Sequence, residues 1–498
     1  MTMDYSRYEW QESSPDVWTR EVDEVEFFYT SLARTWRGCG RMFFHMTGHL
    51  SVQVPVPPGR TQSEEGKRLE DALRKAWISL RFHHPTVASQ VKLHPDKGTY
   101  LKTYHVRPNG WLDETFKIIS TGQTGTEWAN ADPPAPELPT LNVVVPPQDD
   151  QGLVKRDLVI RAPHDIMDGV GTLMLFNNLV GHAATAFEQG DAYAVPDLRE
   201  PRVIENLSPP FRVAANIPPQ PSPQVKDRME KVMTVRRSID AKDVEVVPSP
   251  FRAGATKPGV HKRIEITLSA EETSALATKC KEFGVTVTHV FHAAIALVLR
   301  DMMPKAELDR QVVYRGYLLR NERPNCAAPY NGYEHAASPL EVDLVVPGKG
   351  TAVTVEDERE DFLRVVRLMR DYYHKVRDDP LHYQLAPLLA GAATKPLPTD
   401  SEEAEVVPPI PPPTEQASAT ISSMGKIDHL ITAKQGVIDV FHPWVTGEEL
   451  RSSLGLFLGT FRGELSLSAA YNDAWHEEKD VVKFAERCLK VARMGFGL

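Results

Sequence analysis

The feature that most constrains this chain is a strand-to-helix junction. Residues 153–163 read LVKRDLVIRAP, a run of strand character, and residues 170–180 read VGTLMLFNNLV, a run of helix character. Between them stands HDIMDG, residues 164–169. A histidine that ends a strand ahead of a tight turn is held at the rim of a sheet. There it reaches a substrate while its backbone stays fixed. Asp168, four residues on, can brace the turn, and Gly169 lets the chain fold back. This placement suits His164 to general-base activation of a hydroxyl or an amine. The same six residues also allow a plain Asp-Gly turn with a structural histidine, or metal binding through His164, Asp165 and Asp168. No second acidic or histidine cluster with ligand spacing completes a metal site, so no metal is expected.

With 498 residues the chain is too long for one ordinary core, and two domains of roughly 200–250 residues are the natural expectation. A hydrophobic share of 41% and a charged share of 25% suit a soluble globular protein. A net charge of −10 argues against a nucleic-acid partner. The start, MTMDYSRYEWQESSPD, has no apolar core, and the longest apolar run, at 287–299, is too short to span a bilayer. Cys39, Cys280, Cys326 and Cys488 lack CxxC spacing and read as reduced thiols. A cytoplasmic protein without membrane contact is expected.

Several elements announce themselves. Thr61 and Glu64 form a capping-box pattern ahead of Leu69, Ala72, Leu73, Ala76, Trp77 and Leu80, predicting a helix over 61–82. His83 and His84 cap its C-terminus as cations before Pro85 stops it. A strand is expected at 158–161 and a helix at 171–189. Proline-rich sequence then predicts a long crossover, not a packed core, ending at 260. Beyond it come a strand at 261–268, a helix capped by Ser269 and Glu272, and a helix capped by Thr286 or Thr288. Strands at 312–319 and 340–346, a helix at 356–376, strands at 436–441, 454–460 and 464–471, and a helix at 477–491 complete the reading. Residues 396–418 are acidic and proline-rich and read as a mobile surface loop. The expected division is 1–205, a crossover at 206–260, and 261–498.

Five segments taken in order resemble the chloramphenicol-acetyltransferase-like superfamily, which holds the BAHD acyltransferases, peptide-synthetase condensation domains and fungal acetyltransferases of secondary metabolism. They are LEDALRKAWISLRFHHPTVASQV (69–91), HDIMDG, GVTVTHVFHAAIALVL (284–299), SSMGKID (422–428) and GELSLSAAYNDAWHEEKDVVKFAERCL (463–489). The DFGWG segment of plant BAHD enzymes is missing; the nearest stretch is GLFLGTFRGEL at 455–465. That points away from the plant branch and towards a fungal O-acyltransferase. The resemblance implies an α/β fold of two similar domains, each a mixed sheet flanked by helices, meeting along a channel. It makes His164 the general base. It makes Asp168 a structural brace paired with an arginine, for which Arg320 is the first candidate and Arg315 the second. Gly169 would leave room for backbone approach to the substrate, and Ser422, Ser423 or Thr460 would donate to the oxyanion. The implied reaction is transfer from acetyl-CoA or another acyl-CoA to a hydroxylated small molecule, a terpenoid or polyketide, by a monomer. Alternatives within the fold are a carrier-protein thioester as donor, or a non-acyl activity such as cyclisation. Acceptor choice is expected to come from loops at 100–150 and 320–340.

Overall fold

The computed structural model describes residues 4–36, 39–107, 110–148, 152–241, 244, 246–247, 252, 254–303, 310–328, 337–349, 354–394 and 418–498. Nearly all of the proline-rich segment expected at 396–418 lies outside them.

Two six-stranded mixed sheets organise the chain. The first runs, edge to edge, through Lys434–Gln435, Ile438–Gly447, Met46–Pro55, Leu153–Ala162, Thr140–Val144 and Phe116–Ile119. All its neighbours are antiparallel except the last pair. The second runs through Ala337–Val346, Val312–Asn321, Ala419–Lys426, Leu454–Phe461, Glu464–Asn472 and His261–Leu268. Here Ala419–Lys426 lies parallel to both of its neighbours. A smaller antiparallel sheet holds Gln11–Ser14, Val17–Glu21, Thr99–His105 and Ser89–His94. The strand Ile438–Gly447 belongs by sequence to the second half yet pairs with Met46–Pro55. The sheets therefore do not divide the chain at a single point.

The helices Gln62–His83 and Gly169–Gln189 pack against each other and onto the first sheet. Thr61 forms the expected capping box with Glu64, and Leu69, Leu73, Trp77, Leu158, Leu173 and Phe176 are buried in one core. Gly48 makes the close seating of Gly169–Gln189 possible, because a Cβ there would run into Thr172 and Phe176. In the second core, Val287–Asp301, Val355–Arg377 and Glu478–Phe496 cover the other six-stranded sheet. The long apolar run is thus a core helix, buried from His289 to Arg300. Among the described residues no single helix is long and apolar enough to cross a membrane.

Three expectations need correction. The crossover is not unpacked: it carries the helices Phe211–Ala214 and Pro223–Asp240, and Phe211, Ala215 and Ile217 bury against Val25, Tyr29, Ala386 and Ala390. Its prolines start helices, with Pro223 in the first turn behind the Ser222 cap. Residues 100–150 are not a loop either, since they hold the helices Trp111–Thr115 and Gly125–Asn130 and three strands in whole or part. His84 is no cationic cap, because burial pushes its imidazole down to about 3. It is neutral and bonded to Asn178 at 3.2 Å.

Candidate active site

The strand Leu153–Ala162 delivers the chain to Pro163, whose carbonyl accepts from Ile166 N at 3.1 Å and from Met167 N at 3.3 Å. Ile166 and Met167 sink into the first core. Asp168 then caps the helix Gly169–Gln189, its Oδ1 accepting from Gly171 N at 2.7 Å. The turn is pinned before and behind His164, which the local sequence alone achieves.

The His164 ring lies flat on Tyr29, with centroids 4.4 Å apart and planes 18° apart, and Phe44 meets it edge-on at 6.4 Å. Burial lowers its pKa below the ordinary histidine value, opposed by a hydrogen bond to its own backbone and by the Asp168 charge. A ring nitrogen bonded to a carbonyl must carry a proton, so in neutral imidazole the other nitrogen offers its lone pair. That is the state a general base needs.

Both flanks of the turn are tied to distant chain. On one side Arg323 Nη2 donates to both Asp168 oxygens, at 2.9 and 3.0 Å, with both side chains buried. The brace partner is thus Arg323 and not Arg320 or Arg315. Arg320, still inside the strand Val312–Asn321, bonds the Val376 carbonyl at 3.3 Å and lies 3.5 Å from Glu322. Arg315 pairs with Asp240 at 2.8 Å. Arg323 follows that strand in a short 3-10 turn, where Asn321 Oδ1 accepts from its backbone N–H and side chain. On the other side Asp165 Oδ2 accepts from Thr30 Oγ1 at 2.7 Å, and the Asp165 carbonyl accepts from Lys102 Nζ at 2.9 Å. Lys102 also reaches Glu26 at 2.5 Å, which Arg20 holds at 2.7 Å. These cations keep the Glu26 carboxyl well below the usual range.

One cavity borders the turn, and a second is lined by Met424 and Val445, which cover Gly169. One, of about 250 Å³, is bordered by Thr30, Arg34, Arg41, Pro163, Asp165 and Ile166. The other, of about 290 Å³, opens between the two large sheets and is bordered by Arg263, His442, Met424, Trp444, Val445 and Phe457. Met424 and Val445 are also what closes over Gly169: a Cβ there would lie 3.3 Å from Met424 Sδ and 3.2 Å from Val445 Cγ2. The space that Gly169 leaves is filled by protein side chains, which corrects the expected approach of substrate to its backbone. Ser423 Oγ bonds Thr288 Oγ1 at 2.9 Å. Ser422 pairs in register with Phe457, and Thr460 with Lys426. Neither serine nor Thr460 is among the residues bordering the second cavity. Among the described residues no three His, Cys, Asp or Glu side chains gather as metal ligands.

No family model matches the sequence. The chain is 23% identical over 482 residues to the acetyltransferase pigO of Monascus ruber, covering 94% of each. It is 25% identical over 363 residues to the acyl-CoA-dependent acyltransferase MAC1 of Pseudozyma antarctica, covering 68% of this chain and 64% of that one. In structure it matches the TRI3 trichothecene 15-O-acetyltransferase of Fusarium sporotrichioides with a TM-score of 0.77 over 99% of both chains, at 16% identity. The chain has the fold of that acetyltransferase, and these relatives in sequence are acyltransferases. The condensation domain of the monacolin K polyketide synthase MokA shares this fold more distantly, with a TM-score of 0.58 and 13% identity over 96% of this chain and 97% of that one.

In this acyltransferase, the residues that sequence reasoning missed are Tyr29, Thr30, Lys102, Arg323 and the pair that joins the sheets. That pair is Glu265 on one large sheet and His442 on the other, 2.6 Å apart. His442 sits at φ +47° in a bulge of Ile438–Gly447, with its carbonyl accepting from His49 Nδ1 at 3.0 Å. Only for Arg323 was there a signal, a second arginine three residues beyond the one expected.

Proposed function

We propose that this acyltransferase moves an acetyl or other acyl group from coenzyme A to a hydroxyl of a secondary metabolite, with His164 as general base. The observation that carries the reading is a buried His164 whose pKa is lowered by burial, stacked on Tyr29 in a turn that a cavity borders. The acceptor hydroxyl gives its proton to the His164 imidazole as its oxygen attacks the thioester carbonyl. A tetrahedral intermediate forms, the C–S bond breaks, and the proton passes from the imidazolium to the departing thiolate. The ester and the free thiol of coenzyme A leave. Asp168 does not touch the reacting atoms; with Arg323 it holds the turn. Ser422, Ser423 and Thr460 remain the candidate donors to the oxyanion, a role that needs an N–H or O–H aimed at the developing charge. A coenzyme A donor is favoured over a carrier-protein arm by the likeness to MAC1, an acyl-CoA-dependent acyltransferase. The preferred acceptors are hydroxylated terpenoids or polyketides. The protein is proposed to work as a cytoplasmic monomer.

The test is thiol release from acetyl-CoA in the presence of such acceptors, comparing wild type with His164→Ala. The expected result is acceptor-dependent release that falls by about 10²–10⁴-fold in the variant, the usual contribution of a positioned base. Release that survives the substitution would remove His164 from the chemistry.

A further inference from the structure

Lysine is among the residues least often buried, yet Lys102 is only 2% exposed. The strand Thr99–His105 buries Tyr100, Lys102 and Tyr104 on one face. A cation therefore stands where period-two patterning calls for an apolar residue. An apolar side chain of similar length would fill the place without desolvating a charge, and such exchanges are often neutral or stabilising. Packing alone does not account for Lys102. What it holds is the turn beside His164. Its Nζ donates to the Asp165 carbonyl at 2.9 Å and to Glu26 Oε1 at 2.5 Å. That carbonyl belongs to the peptide joining Asp165 to Ile166, whose N–H donates to the Pro163 carbonyl at 3.1 Å. The peptide is planar, so bonds at both of its ends fix its orientation, one peptide beyond that of His164.

The helix Glu24–Arg34 completes the support. Glu26, Tyr29 and Thr30 lie at i, i+3 and i+4, on one helix face. Glu26 anchors Lys102, Tyr29 carries the His164 ring, and Thr30 holds the Asp165 side chain at 2.7 Å. Arg20 donates two bonds to Glu26, both at 2.7 Å, so the carboxylate keeps a partner if Lys102 is exchanged. We propose that Lys102 is a positioning residue for acyl transfer: its grip on the Asp165 carbonyl fixes the direction in which the His164 imidazole meets the acceptor hydroxyl. It acts through the turn and not on the reacting atoms. The inference rests on the reading of His164 as the general base.

The experiment compares wild type, Lys102→Met, His164→Ala and the double variant in acceptor-dependent thiol release from acetyl-CoA. Lys102→Met is expected to lower kcat by about 10–100-fold, the cost of a base displaced by about 1 Å, with both KM values unchanged. In the His164→Ala background the same substitution should change the residual rate by less than about twofold, because the two residues act as a unit. A lysine that merely holds the fold would lower the rate equally in both backgrounds. Hydrogen exchange, read residue by residue in wild type and Lys102→Met, needs no turnover. The Ile166 and Met167 amides should exchange at least about tenfold faster in the variant, the value of a lost charge-assisted bond. Gly171 and Thr172, at the start of the next helix, should keep their rates. Unchanged kcat, equal losses in both backgrounds, or faster exchange at all four amides overturns the proposal. Should Lys102→Met not fold, Lys102→Gln, with a shorter donor, takes its place under the same criteria. Release that falls in His164→Ala but not in Lys102→Met sinks Lys102 alone. Release that survives His164→Ala sinks the reading of the base, and Lys102 as its positioner with it. With no release from wild type on any acceptor the acyl-transfer reading fails by itself, and exchange alone decides the grip on the turn: unchanged rates at Ile166 and Met167 overturn it.

Discussion

Replacing Arg323 by methionine removes the guanidinium from Asp168 while keeping much of the side-chain volume. The side chains of Arg323 and Asp168 are only 6% and 3% exposed, so water does little to screen either charge. Stranding one member of a buried ion pair costs about 3–5 kcal/mol. The lower end applies, because Asp168 keeps its capping bond from Gly171 N at 2.7 Å, a contact of about 1 kcal/mol in its own right. Arg323→Met is therefore expected to destabilise the protein by about 3 kcal/mol. That is a large share of the roughly 5–15 kcal/mol that holds a folded domain. Asp168→Asn keeps the cap and strands Arg323 instead, at a similar cost. The double variant leaves no charge unpaired, so it should be more stable than the sum of the two losses implies by at least about 1.5 kcal/mol. Urea unfolding of the four proteins, followed by fluorescence and circular dichroism, measures this coupling. Arg315→Met, whose partner Asp240 is 52% exposed, serves as the control at about 1 kcal/mol or less, the range of exposed pairs. Additivity within about 0.5 kcal/mol would refute the argument that this pair is what holds the HDIMDG turn to the second half of the chain.

Other outcomes follow from the same geometry. Tyr29→Ala should slow acyl transfer by up to about tenfold, the value of a stacked ring pair of roughly 0.5–1.5 kcal/mol. Tyr29→Phe should keep most of the rate, and steady-state kinetics of both variants checks this. Gly48→Ala drives a Cβ into Thr172 and Phe176 and should cost about 1–3 kcal/mol in a thermal melt. Gly169→Ala, whose nearest contacts are 3.2 and 3.3 Å, should cost less. Stability should fall as the pH drops below 6.5. Burial lowers His84, His261 and His292 to about 3 and His49 to about 4, so the unfolded chain takes up protons that the folded chain refuses. Their contribution is complete above 6.5 and is lost as the pH falls towards those values. Asp23 and Glu449, raised to about 6, act in the opposite sense below that pH, but two carboxyls do not outweigh four histidines. Urea midpoints at pH 7 and pH 5 measure the net effect, and a higher midpoint at pH 5 would contradict it.

What the sequence by itself determined is local. The strand, the HDIMDG turn and the following helix were legible because Asp168 caps its own helix three residues on, and Thr61 and Ser269 do the same for theirs. Such bonds close within a few residues, where chain geometry leaves little choice. Several helices and strands of the second half could be read from periodicities of two and of 3.6, whereas Met46–Pro55, Ser89–His94, Thr99–His105, Phe116–Ile119 and Thr140–Val144 in the first half were not. What surrounds His164 was decided only by tertiary structure. Tyr29 and Thr30 approach the turn from more than a hundred residues upstream and Arg323 from 155 residues beyond Asp168. No periodicity encodes such meetings. Arg320 and Arg323 differ by three positions, and the difference lies in where the strand ends: Arg320 is still in the ladder with Ser338, whereas Arg323 has entered the turn that aims it at Asp168. Likewise Ile438–Gly447 has strand character in any context. Its place in the first sheet follows from the open edge that Met46–Pro55 presents to it, a property of the folded molecule and not of the segment.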